Sequence, residues 1–164
     1  MKYIGKVCLM SIKIRRFKKE DEEQAKNLMI QLCNVTNVPF DEKKWHWGVS
    51  MRLFDALRRN GMLVAEKEDK IVGMTFADIS IDPTGVSTGY IRNVIVDANE
   101  QGQGIGRKLI ERAIKYLTEM EVHEILINVR SQTEKALKLY KDLGFKVAYK
   151  VMKLKPKKAK LKVK

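Results

Sequence analysis

A chain of 164 residues, 45% hydrophobic and 32% charged, with a formal charge of +13, has the size of one ordinary domain and the composition of a soluble globular protein. No apolar run approaches the roughly 18 residues that a membrane span needs, and MKYIGKVCLM lacks both the continuous apolar region and the small-residue cleavage site of a secretion signal. Cys8 and Cys33 lie far from His46 and His123, the two histidines, so neither a metal site nor a disulfide framework is expected, and the reducing cytoplasm is the expected compartment.

In chain order, residues 1–10 read as an extension, because Met10 is a second candidate start. SIKIRRF (11–17) alternates as a strand does. Ala25, Leu28, Met29 and Leu32 fall at i, i+3, i+4, i+7 and predict a helix over 20–33. A second helix is predicted over 41–61, with Trp45, Val49, Leu53 and Leu57 on one stripe and a stop at Asn60-Gly61. Residues 62–81 read as two strands around a Glu68-Asp69-Lys70 turn, and Asp82-Pro83-Thr84-Gly85 supplies the next turn. Then come a strand (88–97), a helix (104–120), a strand (124–130), a helix (134–143) and a last strand region (145–154). The order β-α-α-β-β-β-α-β-α-β is that of an α/β chain with a mixed sheet, antiparallel early and crossing over later. No linker divides residues 11–154, which read as a single domain.

Residues 155–164 form a Lys-rich tail, and the stretch KLKPKKAKLKVK (153–164) holds seven lysines. Such an arm attracts polyanions such as RNA, DNA or a membrane surface. A solubilising arm without a partner accounts for the same residues, and the tail has no aromatic side chain for base stacking.

The stretch Gln101-Gly102-Gln103-Gly104-Ile105-Gly106-Arg107 follows the apolar run IVD and precedes a predicted helix with Leu109, Ile110, Ala113 and Leu117 inward. Glycines before a helix let backbone N–H groups approach an anion. A Walker A loop and a dinucleotide fingerprint both require glycine at position 107, which is arginine. An ordinary Gly-rich turn leaves three alternating glycines beside Arg107-Lys108 unexplained.

The strand, the Gln101-x-x-Gly104-x-Gly106 signature and the helix resemble the cofactor motif of the GNAT N-acetyltransferase superfamily. ILINVRSQTEKALKLYKDLGFKV (125–147), with Ala136, Leu139-Tyr140 and Gly144-Phe145, resembles the family's next motif. The resemblance spans about residues 11–154. It implies a GNAT-like mixed central sheet with helices on both faces, and an acyltransferase moving an acetyl group from acetyl-CoA to a primary amine by direct attack in a ternary complex, without a metal. Backbone N–H groups of Gly102–Arg107 would hold the CoA pyrophosphate. Val94, Ile95 and Val96 map to the bulged strand whose freed backbone pairs with the pantetheine arm, one N–H polarising the thioester carbonyl. Tyr140 maps to the general acid, and a tyrosine buried by its ring alone is the alternative.

Two positions depart from the family pattern. Asn128 stands where many members carry a glutamate base, and Thr133 where an asparagine caps the last helix and contacts pantetheine. Asn128 cannot take a proton, which leaves a weakly basic acceptor or another carboxylate; Asp78 is the candidate, and a solvated strand-end aspartate is its alternative. Trp45, His46 and Trp47 are candidates for the acceptor pocket, since aromatic faces suit a cation; core packing explains Trp45 equally. The expected partner is a small amine or a peptide amine, and a homodimer is compatible with the chain. A protein N-terminal or lysine acetyltransferase, acting near the ribosome through the basic tail, and a CoA-binding sensor without catalysis are the rival readings.

Overall fold

One five-stranded sheet, ordered β1-β2-β3-β4-β5, is built from Lys13–Arg16, Met62–Lys67, Lys70–Ile81, Ser87–Val96 and Glu124–Ile127. The first four strands run antiparallel and β5 joins β4 in parallel. The computed structural model describes residues 11–129 and 134–154. They fall into two compact units divided between Asn128 and Val129. The first holds the sheet with α1 (Glu22–Val35), α2 (Glu42–Phe54), α3 (Ala56–Asn60) and α4 (Ile105–Glu119); the second holds α5 (Glu134–Asp142). The expected extension (1–10), tail (155–164) and Thr133 lie outside the described residues.

The β2–β3 hairpin closes through Glu68 and Asp69, both at positive φ (49° and 60°). That is the two-residue turn whose twist matches its flanking strands. Along these strands side chains alternate between faces. Met62, Val64, Met74 and Phe76 pack with Ala25 and Leu28 of α1 and Trp45 and Val49 of α2 in one core cluster. On the opposite face, a Cβ at Gly73 would lie 3.0 Å from Leu109 of α4, whose Ile105, Leu109, Ile110, Ala113 and Leu117 are buried. Helices therefore cover both faces of the sheet.

Two expectations are corrected. The helix expected over 41–61 is two helices, because Asp55 adopts an extended conformation (φ −85°, ψ 117°) and its carboxylate accepts the N–H groups of Leu57 and Arg58. A side chain that caps a new helix outcompetes continuation of the old one. The break resets the helical phase, and Leu57, expected on the buried stripe, is exposed. Residues 145–154 form no strand: Val147, Tyr149 and Val151 alternate but are exposed, and alternation becomes a strand only where a neighbour completes the ladder. Among the described residues no helix is long and apolar enough to cross a membrane.

Candidate active site

β4 is irregular where it leaves the regular ladder. Met74 pairs with Ile95 and Phe76 with Arg92, so Thr75 alone faces both Asn93 and Val94, the two-against-one count of a β-bulge. Asn93 takes positive φ (54°), which asparagine tolerates better than most residues. Thr75, fully buried, donates its hydroxyl to the Arg92 carbonyl at 3.0 Å, satisfying an acceptor that the bulge removes from the ladder. Beyond it the strands part: the β4–β5 pairing ends at Ile91↔Ile127 while β4 continues to Val96. Val94, Ile95 and Val96 thus lie on the stretch of β4 past the fork. Ile95 is buried in the core, which turns its side chain away from any ligand and leaves its backbone as the available part.

After β4 the chain turns through a short 3-10 segment, Ala98–Glu100, into the glycine loop. Gly102 and Gly104 have φ of +84° and +75°, and a Cβ at either would meet no atom within 4 Å. Gly104 is the N-cap of α4. The first-turn amides of Ile105, Gly106 and Arg107 have no acceptor within their own helix and carry the positive end of its dipole. No acidic side chain occupies that turn. Arg107 reaches back to Glu111 at 3.7 Å, keeping its charge beside the helix.

The loop is braced from three sides. Gln31 of α1 donates to Asp97 at 2.9 Å and accepts the Ala98 N–H at 3.3 Å. Gln101 donates to the Val96 carbonyl at 3.3 Å. Lys67 of β2 and Gln103 each donate to Glu100 at 2.7 Å. The Gln31 hydrogen bond, with that of the Asn99 N–H, holds the Asp97 carboxyl below its usual range, and Lys67 does the same for Glu100. The side chains of Gln101 and Gln103 therefore shape the loop. Gln31, Lys67 and Thr75 escaped sequence reasoning because each acts across more than 15 residues of chain; Asn93, an asparagine inside an apolar strand, was a readable signal of a bulge.

On the α2 side of the same sheet, Arg52 forms a two-pronged pair with Asp78, its Nη2 at 2.9 Å from Oδ2, and lies over the Phe76 ring at 4.7 Å. Arg92 Nε reaches Asp78 at 3.5 Å. Asp78 is 16% exposed and bound by two guanidiniums; the lone pairs that a base would use are engaged. Asn128 is exposed and follows the end of β5.

The three candidate pocket residues of α2 do not share a surface. Successive helical positions are about 100° apart; Trp45 is in the core, Trp47 is 68% exposed, and His46 bonds Glu22 at 2.6 Å through Nδ1.

In the second unit, α5 ends in a Schellman motif. Gly144 has φ +91°, its N–H bonds the Lys141 carbonyl at 2.9 Å, and the Phe145 N–H bonds the Tyr140 carbonyl at 3.0 Å. The Phe145 ring meets Tyr140 edge-on, with centroids 6.3 Å apart. The Tyr140–Gly144–Phe145 spacing is therefore accounted for by helix termination. Burial pushes the Tyr140 phenol up from its usual value, which keeps its proton in place at neutral pH.

Residues 29–145 match the family model described as "Acetyltransferase (GNAT) family". A mycothiol acetyltransferase of Thermomonospora curvata is 30% identical over 85 residues, 52% of this chain and 27% of that protein. N-alpha-acetyltransferase 30 of Xenopus laevis is 30% identical over 77 residues, 47% of this chain and 28% of that protein. The matched region spans less than a third of either relative. A protein of Clostridium acetobutylicum, described as a predicted acetyltransferase and solved with acetyl-CoA, superposes with a TM-score of 0.74 at 18% identity, covering 88% of this chain and 96% of its own.

Proposed function

The chain belongs to the acetyltransferase (GNAT) family, and from that premise we propose that it transfers an acetyl group from acetyl-CoA to a primary amine by direct attack. The observation that carries this reading is the combination of a bulged, forked β4 with a glycine-capped helix N-terminus one short loop later.

The residues fit the cofactor. Gly102 and Gly104 take positive φ with open space where a Cβ would go, and the amides of Ile105, Gly106 and Arg107 offer donors for a pyrophosphate. When bound, acetyl-CoA supplies the acetyl group as an activated thioester. The β4 backbone from Val94 to Val96 offers N–H and C=O groups to an amide-bearing arm, and an N–H there polarises a carbonyl without needing a particular side chain. Tyr140, assigned on its motif and held protonated by burial, would give its proton to the departing sulfur as the N–C bond forms and the C–S bond breaks, while the amine nitrogen releases one proton to water and the phenolate regains one from solvent. Thr133 is assigned to the same arm, and residues 11–154 to one catalytic domain.

With Asp78 held by Arg52 and Arg92 and an amide at Asn128, the enzyme selects an amine that is already neutral. The test is thiol release from acetyl-CoA across a panel of amines and peptides as a function of pH. kcat/KM should rise about tenfold per pH unit until the pKa of each acceptor. A plateau near neutrality shared by all acceptors would reveal a dedicated base, and no release with any amine would overturn acetyl transfer.

A further inference from the structure

Along β3 and β4, on the side of the bulge away from the glycine loop, the sheet face toward α2 opens into a cleft of about 360 Å³. Arg52 of α2, Arg58 of α3, Arg92 and Tyr90 of β4, and Asp78 and Ser80 of β3 line it. Three guanidiniums face one carboxylate. Asp78 compensates Arg52 through the two-pronged pair and Arg58 has a carboxylate partner at the cap of its own helix, so the surplus charge rests chiefly on Arg92. Arg92 is 43% exposed, stacked on the Tyr90 ring at 4.7 Å and joined to Asp78 only through Nε at 3.5 Å. Arg58 Nε reaches Asp55 at 3.6 Å from the helix surface. A guanidinium has five donors in a planar fork that matches a carboxylate or phosphate, and stacking holds the Arg92 plane in one orientation.

We propose that this cleft is the acceptor site and that it selects a small amine bearing an anionic group, a carboxylate or a phosphate ester, gripped by Arg92 and Arg58. The assignment rests on the acetyl-transfer reading for its position: Arg92 is two residues, roughly 7 Å of strand, before Val94, where the thioester carbonyl is assigned. A cleft of this volume suits a small molecule. Arg52 and Asp78 act as positioning residues, fixing the wall against which Arg92 is aligned.

The experiment measures binding by calorimetry and thiol release from acetyl-CoA, using the full chain and amines matched in pairs: an amino acid and its amide, an amino sugar and its phosphate ester. The anionic member of at least one pair should bind about 10–100-fold more tightly, and which pair does so separates carboxylate from phosphate. Arg92→Gln should erase that preference, raising KM for the anionic member by about 10–100-fold so that the two members of the pair are bound alike. Arg92→Lys should restore only part, and an unchanged melting temperature excludes misfolding. Anion-selective binding without acetylation of any amine would overturn acetyl transfer and uphold the cleft. Acetylation with no preference within either pair, a preference for the neutral members, or a preference that survives Arg92→Gln would overturn the anionic acceptor and leave acetyl transfer standing. Binding of neither anion would also overturn it.

Discussion

Gly61 and Gly104 each stand at the end of a helix, and they are glycines for opposite reasons. At Gly61 the surroundings impose the choice: φ is an ordinary −85°, but a Cβ would come within 1.8 Å of the Ala77 carbonyl oxygen, and the Gly61 carbonyl accepts the Ala77 N–H at 2.8 Å. At Gly104 the backbone itself imposes the choice, with φ +75° and empty space where a Cβ would go. A glycine enforced by crowding belongs to the fold. One enforced by conformation, at the start of a helix and beside open space, leaves room for a ligand.

The most disruptive test of that contrast is Gly61→Ala. The methyl group must displace β3 or α3, so a loss of about 3 kcal/mol is expected, a fall in melting temperature of roughly 6–12 °C. Whatever folded protein remains should still be stabilised by acetyl-CoA. A wild-type melting temperature would mean that the turn relaxes at no cost.

Gly104→Asp probes the other side of the contrast. With acetyl-CoA at about 100 times its dissociation constant, the wild-type chain should gain about 2.7 kcal/mol. The variant should gain almost nothing, because a carboxylate would occupy the pyrophosphate position. Without ligand its own cost is about 1–2 kcal/mol of left-handed strain. A full ligand-induced shift in the variant would remove the loop from the cofactor site.

The sequence carried much of this architecture and less of the site. Periodicity located α1, α4 and the β2–β3 hairpin because each buries one face against the sheet, and burial writes itself into spacing. It failed at Asp55, where a local cap overrode a stripe that looked continuous, and at 145–154, where strand-like alternation has no neighbour to complete it. The glycine loop was legible because its chemistry lies in consecutive residues. The Arg52–Asp78–Arg92 group was not: its members come from α2, β3 and β4, and only the folded sheet brings them together. Asp78 was expected as a candidate base; the two arginines that hold its carboxylate are invisible as its partners in one dimension.

Tyr140 tests whether the contrast between packing and ligand contact extends to side chains. Its ring contacts Phe145 edge-on at a helix end, a role that phenylalanine fills equally well. Tyr140→Phe should therefore leave the melting temperature within about 0.5 kcal/mol of wild type. kcat should fall by about 100-fold with acetyl-CoA affinity retained if the hydroxyl donates its proton. A drop in stability with unchanged kcat would assign the residue to helix termination alone.

The smallest effect is expected at Gln31, which grips the loop ahead of Gly104 without lying in it. Gln31→Ala removes one hydrogen bond to the Asp97 carboxylate and one from the Ala98 amide, together about 1 kcal/mol at this partly exposed position. The Asp97 carboxyl is held below its unfolded value chiefly by the Gln31 hydrogen bond. A depressed carboxyl stabilises the fold above its unfolded pKa of about 3.9 and loses that contribution as pH falls through the lower folded value. Denaturant titrations of wild type and variant should thus differ at pH 7 and converge below about pH 4. A difference that persists undiminished in acid would show that the clasp works through the Ala98 amide, with the Asp97 charge contributing nothing.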